Sequence, residues 1–150
     1  MRTTARLITV GLVAALAVSC NTQRVRIAGQ SMSPTLKDGE RVTIARGYDK
    51  LERGDIVALK YPRDTSKSFV QRIVGLPGEE ISSTEGVVFV NGRKVEEPYV
   101  LDGNRFPDTW GPTKIAAGAY FVMGDNRGNS SDSRSWGTVK QELIWAKVLR

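Results

Sequence analysis

The stretch Val87-Val88-Phe89-Val90-Asn91-Gly92-Arg93-Lys94-Val95 constrains the fold of this chain more than any other. β-Branched and aromatic residues fill its first arm. Asn91-Gly92 supplies the two positive φ angles of a type I′ turn, so the segment predicts a tight β-hairpin. The rest of the chain from Val25 onward has the same texture of short strands and turns. Arg41-Val42-Thr43-Ile44-Ala45 alternates polar and apolar residues with period two, as a half-buried strand does. Arg53-Gly54-Asp55 reads as a turn, and Ile56–Tyr61 as a strand that Pro62 ends. Arg63–Ser68 reads as a polar loop, and Ser68–Val74 as a strand closed by Gly75-Leu76-Pro77-Gly78. Glu96–Thr113, with Pro98, Pro107 and Pro112, reads as an extended loop. Ala119–Met123 and the apolar tail Glu142–Leu149 complete the strands. No long helix, repeat or low-complexity segment is visible. The expectation is a mainly β fold of two antiparallel β-sheets, with Val87–Val95 as a small β-ribbon insertion.

With 150 residues the chain suits one domain with a modest core. A 40% hydrophobic and 25% charged composition is that of an ordinary globular protein. The single cysteine, Cys20, leaves no intrachain disulfide, so stability rests on packing. Histidine is absent, which excludes a Ser-His-Asp triad, a Cys-His pair and any zinc site built on imidazole. The formal charge of +6 comes from dispersed Lys and Arg with no basic run. That pattern points away from nucleic acid and suits a surface that tolerates anionic lipid.

Residues 1–20 form a separate compositional unit. Arg2 and Arg6 precede the apolar run Leu7–Val18, whose length is that of an export signal rather than a full membrane span. Ala17-Val18-Ser19-Cys20 has the form of a lipobox, in which Cys20 becomes a lipid anchor; a short signal-anchor helix reaching Thr22 is the alternative. Either arrangement holds residues 21–150 against a membrane on its extracytoplasmic face.

Within the folded part, Gly29-Gln30-Ser31-Met32-Ser33-Pro34-Thr35-Leu36 predicts a tight, irregular loop, because Pro34 has no backbone donor and restricts Ser33. Ser31 is then a candidate nucleophile, provided that some group takes its proton. Three further blocks follow in order: Arg53–Val57, Arg72–Glu79 and Gly124–Gly137. With these four blocks together, the chain resembles the type I signal peptidases, the membrane-bound serine endopeptidases of the S26 group. The likeness covers most of Val25–Arg150.

The resemblance implies a fold of that family, with a catalytic core over 25–80 and 115–150 and the ribbon and loop inserted over 81–114. It also implies a mechanism in which Ser31 attacks the scissile carbonyl, its own N–H helps to stabilise the oxyanion, and a lysine acts as base. Gly29 matches a position where some relatives place an additional hydroxyl. Ser130 matches the residue that orients the lysine amine, and Asp132 with Arg134 matches a structural ion pair beneath the site. Asp125 with Arg127 is expected to hold the same loop. Phe69 and Val70 resemble residues lining the substrate pocket, with Met32 and Pro34 on the opposite wall. The substrate would be a small-x-small segment of a signal-peptide-bearing preprotein, added as a strand. A monomer working at the membrane without metal or cofactor is expected.

One position departs from the pattern. The lysine should precede Arg72, and that residue is Gln71. A buried lysine loses its proton near neutral pH through desolvation, whereas a glutamine amide has no comparable basicity. Lys67 is on the same strand face but about 13 Å away along an extended chain, and Lys60 is on another strand. Asp132, if unperturbed, would be a poor base. Two functions therefore stand open: removal of signal peptides from exported preproteins, or a catalytically inactive homologue that binds exported segments or assists surface assembly. A self-cleaving repressor-type protein is disfavoured by the export leader.

Overall fold

The computed structural model describes residues 21–150; the lipobox, Cys20 and residues 1–20 of the rival anchor lie outside the described residues, and Thr22, the expected end of that anchor helix, is instead the first residue of a strand. Among the described residues eleven strands are formed: β1 (Thr22–Arg26), β2 (Arg41–Ala45), β3 (Ile56–Tyr61), β4 (Asp64–Gly75), β5 (Glu80–Thr84), β6 (Val87–Val90), β7 (Arg93–Lys94), β8 (Trp110–Lys114), β9 (Ala119–Met123), β10 (Val139–Lys140) and β11 (Ile144–Leu149). One four-residue helix, α1 (Ser133–Trp136), follows β9. The strands form two antiparallel sheets, ordered β1-β2-β11-β3-β4-β9-β10 and β7-β6-β5-β8. The mainly β expectation therefore holds. No helix among the described residues is long and apolar enough to cross a membrane.

The strand β3 shows why the large sheet sits where it does. Ile56 and Ala58 join a core cluster with Ile27, Met32, Leu36 and Ile44. Val57 and Leu59 point the other way, into a second cluster with Ile73, Tyr120, Val122 and Trp136. Both faces of β3 are buried, which is why its sequence is a continuous apolar run without alternation. A third cluster joins Val74, Phe121 and Met123 of the large sheet to Ile81, Val88 and Val90 of the small one.

The predicted hairpin is present, with Asn91 at φ 50° and Gly92 at φ 75°. It forms an edge of the four-stranded sheet. Three other segments differ from expectation. Arg63–Ser68 is not a loop: β4 begins at Asp64 and pairs with β3 across Pro62-Arg63, and its polar residues reflect exposure of both faces. Glu96–Thr113 is not wholly extended loop, because Asp102–Asn104 forms a 3₁₀ turn and Trp110–Lys114 is β8. Pro112 is tolerated there because β8 is an edge strand. The strand β5 has no counterpart in the sequence reading, since its inward positions are Ile81 and Ser83. The Ser83 hydroxyl is satisfied by donating to the Asp108 carbonyl, so a polar residue occupies a core-facing position.

Candidate active site

The Ser31 loop is anchored on every side. Met32 and Leu36 plug into the core, and the Leu36 N–H donates to the Met32 carbonyl. At its entrance, the Gly29 N–H donates to Asp38, with Gly29 at φ +93°, a conformation suited to glycine. From outside the loop, the Asn126 N–H donates to the Ser31 carbonyl at 2.9 Å, and the Asn104 side chain donates to the Ser33 carbonyl at 3.0 Å. Neither the Ser31 hydroxyl nor its backbone N–H makes a hydrogen bond among the described residues.

Gln71 is fully buried on β4. Its amide nitrogen donates to the Ser131 carbonyl at 3.1 Å and lies 3.5 Å from the Ser130 hydroxyl. Gly124 sits between Ser31 and Ser130. A Cβ at Gly124 would overlap the Ser130 hydroxyl and stand 2.5 Å from the Ser31 carbonyl oxygen. The structure thus brings Ser31, Gln71, Ser130 and the end of β9 into one neighbourhood. It does not bring a lysine there: Lys67 pairs with Asp64 at an exposed position, and Lys60 lies across from Ser68.

The ionic residues below this neighbourhood each have a distinct partner. Asp125 and Arg127 do not pair with each other. Asp125 accepts two hydrogen bonds from Arg72, at 2.8 and 2.6 Å, while Arg127 donates to both carboxylate oxygens of Glu97. Two residues apart, Asp125 faces β4 and Arg127 turns toward the segment before Tyr99. The Arg72 guanidinium also lies 3.9 Å from the centre of the Tyr99 ring. Burial, followed by the charge of Glu97, pushes the Tyr99 phenol above its ordinary pKa. Asp132 does meet Arg134, at 2.9 Å, and Arg134 also reaches Asp108. Burial opposes the Arg134 cation, but the two carboxylates outweigh it and raise its pKa. Both Asp132 oxygens are committed, to Arg134 and to the Gly124 N–H, so Asp132 has no oxygen free to serve as base.

A cleft of roughly 200 Å³ opens beside Ser31. Its walls include Met32, Phe69, Val70, Ile27, Ala58 and Trp145. Pro34 is exposed and is not part of the wall, a correction to the sequence expectation. Two strand edges border the cleft. The strand β1 is the end strand of its sheet, and β9 pairs with β4 only from Arg72 onward, leaving the Ser68–Gln71 edge without a strand on that side.

The sequence reading missed Glu97, Tyr99, Asp108 and Trp145. Glu97 is 2% exposed in its side chain, and a buried carboxylate requires a partner, but that burial is set by the fold and has no signal in the sequence. Nothing local marks the other three.

Comparison with known proteins places these features in context. The family described as signal peptidase, peptidase S26, matches residues 1–149. The chain is 41% identical over 121 residues to signal peptidase I of Bacillus amyloliquefaciens, covering 73% of this chain and 62% of that protein. It is 37% identical over 157 residues to signal peptidase I of Leptolyngbya laminosa, covering 95% and 76% respectively. A crystal structure of a signal peptidase I from Enterococcus faecalis V583 matches with a TM-score of 0.60 and 29% identity, over 69% of this chain and 100% of that one. The chain therefore spans about three fifths of the length of the Bacillus relative.

Proposed function

The chain belongs to the signal peptidase family, peptidase S26, and we propose that it acts on signal-peptide-bearing preproteins as a serine endopeptidase of the signal peptidase I type. In this reading residues 1–20 hold it to a membrane and residues 21–150 work on the extracytoplasmic face. The core over 25–80 and 115–150 forms the site, and 81–114 is an insertion. The observation behind this reading is the cleft beside Ser31, which lies between the outer edge of β1 at Val25–Arg26 and the Ser68–Gln71 edge of β4. An extended peptide laid there gains main-chain hydrogen bonds from both edges, and pockets select its alternate side chains.

The chemistry follows from the groups present. The Ser31 oxygen attacks the carbonyl carbon of the scissile bond as solvent water takes its hydroxyl proton, and the oxyanion that forms accepts from the Ser31 N–H. One such donor contributes about 10²–10³ in rate. Collapse of the oxyanion breaks the C–N bond, a proton from water passes to the leaving amine, and a second water hydrolyses the Ser31 ester. This reading assigns Ser130 and Gln71, whose side chains lie 3.5 Å apart, to the path of the hydroxyl proton. Gln71 occupies the position that the family likeness gives to lysine, and its amide has no basicity with which to hold that proton. Where groups act as a unit, loss of the base lowers kcat by up to about 10⁶. Cleavage by this chain is accordingly slow.

A second reading, binding without cleavage, is favoured by the burial of Gln71 and its hydrogen bond to the Ser131 carbonyl. Incubating the purified full chain with a preprotein that carries an Ala-x-Ala site tests both. Slow cleavage after that site, lost in Ser31→Ala, is the outcome of the first reading. Retention of uncut preprotein by parent and Ser31→Ala alike is the outcome of the second. A chain that neither cuts nor retains the preprotein refutes both.

A further inference from the structure

The direction of the Ser31 N–H depends on hydrogen bonds that lead out of its loop to a distant side chain. A peptide unit is planar and trans, so its N–H points opposite to its carbonyl. The Gln30 carbonyl therefore sets where the Ser31 N–H points. That carbonyl accepts from the Asn126 side chain at 3.2 Å and from the Ser33 N–H at 3.1 Å. Ser33 in turn is held at its own carbonyl, which accepts from the Asn104 side chain at 3.0 Å. Pro34, next in the chain, has no N–H with which to fix this corner. Asn104 is thus linked by two successive hydrogen bonds to the peptide unit that aims the Ser31 N–H.

Asn104 is itself firmly placed. It ends the 3₁₀ turn Asp102–Asn104, which lies against the 3₁₀ turn Arg127–Asn129. The segment that carries it is pinned on both sides, by Glu97 to Arg127 and by Asp108 to Arg134. Both arginines belong to the stretch Gly124–Gly137, which also carries Asn126 and Ser130. Asn104 is half-buried, and one neutral hydrogen bond there contributes little to stability. What the bond does is tie the Ser31 loop to the opposite side of the site.

We propose that Asn104 is a positioning residue for the oxyanion donor, acting on the Ser31 N–H through Ser33 and Gln30. This inference rests on the reading of Ser31 as the nucleophile of a peptidase. In that reading Gln71 cannot hold the proton. A serine protease stripped of its base still gains about 10³–10⁴ over water from its oxyanion hole and binding. A residue that aims the oxyanion donor then governs much of the remaining rate, since a misplacement of about 1 Å costs up to about 10²-fold.

The test is single-turnover cleavage of an Ala-x-Ala preprotein by the full chain in excess, read as limiting rate and half-saturation concentration, beside a thermal melt. Asn104→Asp is nearly isosteric but sets a carboxylate oxygen against the Ser33 carbonyl. Its limiting rate falls at least about tenfold, while half-saturation stays within about twofold of the parent's. Asn104→Ala, which removes the donor without adding charge, shows the same split should Asn104→Asp fail to melt cooperatively. Asn104→Gln, which keeps an amide, cuts at least about threefold faster than Asn104→Ala. Four results refute the positioning role and leave the peptidase reading intact: an unchanged limiting rate in Asn104→Ala, no recovery in Asn104→Gln, a loss matched by an equal rise in half-saturation, or cooperative melting lost in all three variants. A parent that does not cut refutes the peptidase reading, and the inference with it.

Discussion

On β4, Gln71 and Arg72 are neighbours that turn to opposite sides, one toward Ser130 and Ser131, the other toward Asp125 and Tyr99. This juxtaposition keeps the ionic scaffold separate from the side chain at position 71. The ionic contacts belong to Arg72, Arg127 and Arg134, none of which depends on position 71. Among these, the Glu97–Arg127 pair is the most enclosed, with side chains 2% and 3% exposed and both carboxylate oxygens engaged. Removing one member of a buried pair strands the other. Glu97→Gln is therefore expected to lower unfolding free energy by about 3–5 kcal/mol, measured by urea denaturation. A loss below about 1 kcal/mol would show that water or another group takes over from Glu97.

Among the elements, the segment leaving β9 sets the distance between the Ser31 loop and Ser130. Gly124 permits that approach because no Cβ intervenes. Gly124→Ala forces the two apart, so affinity for a fluorescently labelled Ala-x-Ala peptide, read by anisotropy, is expected to fall at least about tenfold. An unchanged affinity would mean that the spacing does not matter to the cleft. Legibility from sequence follows the same division into local and distant causes. The Asn91-Gly92 hairpin and the strands β2, β3 and β9 were legible because their signals lie within each segment: turn angles, alternation and apolar runs. The ordered blocks around Ser31, Arg72 and Gly124–Gly137 likewise made the family legible. Asp125 with Arg72 and Arg127 with Glu97 were not, because partners 53 and 30 residues apart are chosen by the sheet arrangement. Trp145 was hidden for a related reason: the pairing of β11 with β3 shifts between Ile144 and Ala146, and a bulge arises from the pairing of two strands.

For the molecule as a whole, two phenols tie stability to pH. Burial raises the pKa of Tyr99, with the Glu97 charge adding to it, and burial also raises that of Tyr48. An unfolded tyrosine ionises near pH 10. Between that value and the higher folded pKa, the unfolded chain has lost protons that the folded chain keeps, so stability falls as pH rises. The contribution is complete below about pH 10 and disappears as pH climbs through the folded pKa. Thermal melts are expected to show Tm declining from about pH 10 upward, less steeply in Tyr99→Phe. An equal decline in parent and variant would assign the alkaline loss to other groups.

The central claim is that a peptide cleft beside Ser31 faces an amide where the chemistry needs an amine. Gln71→Lys tests it most directly, by the rate of Ala-x-Ala preprotein cleavage across pH. A lysine in that buried position should have its pKa lowered by desolvation toward neutrality. The expected result is a cleavage rate at least about 10³ above the parent's, rising as the lysine loses its proton and abolished when Ser31→Ala is added. A folded Gln71→Lys chain that cuts no faster than the parent would contradict the claim.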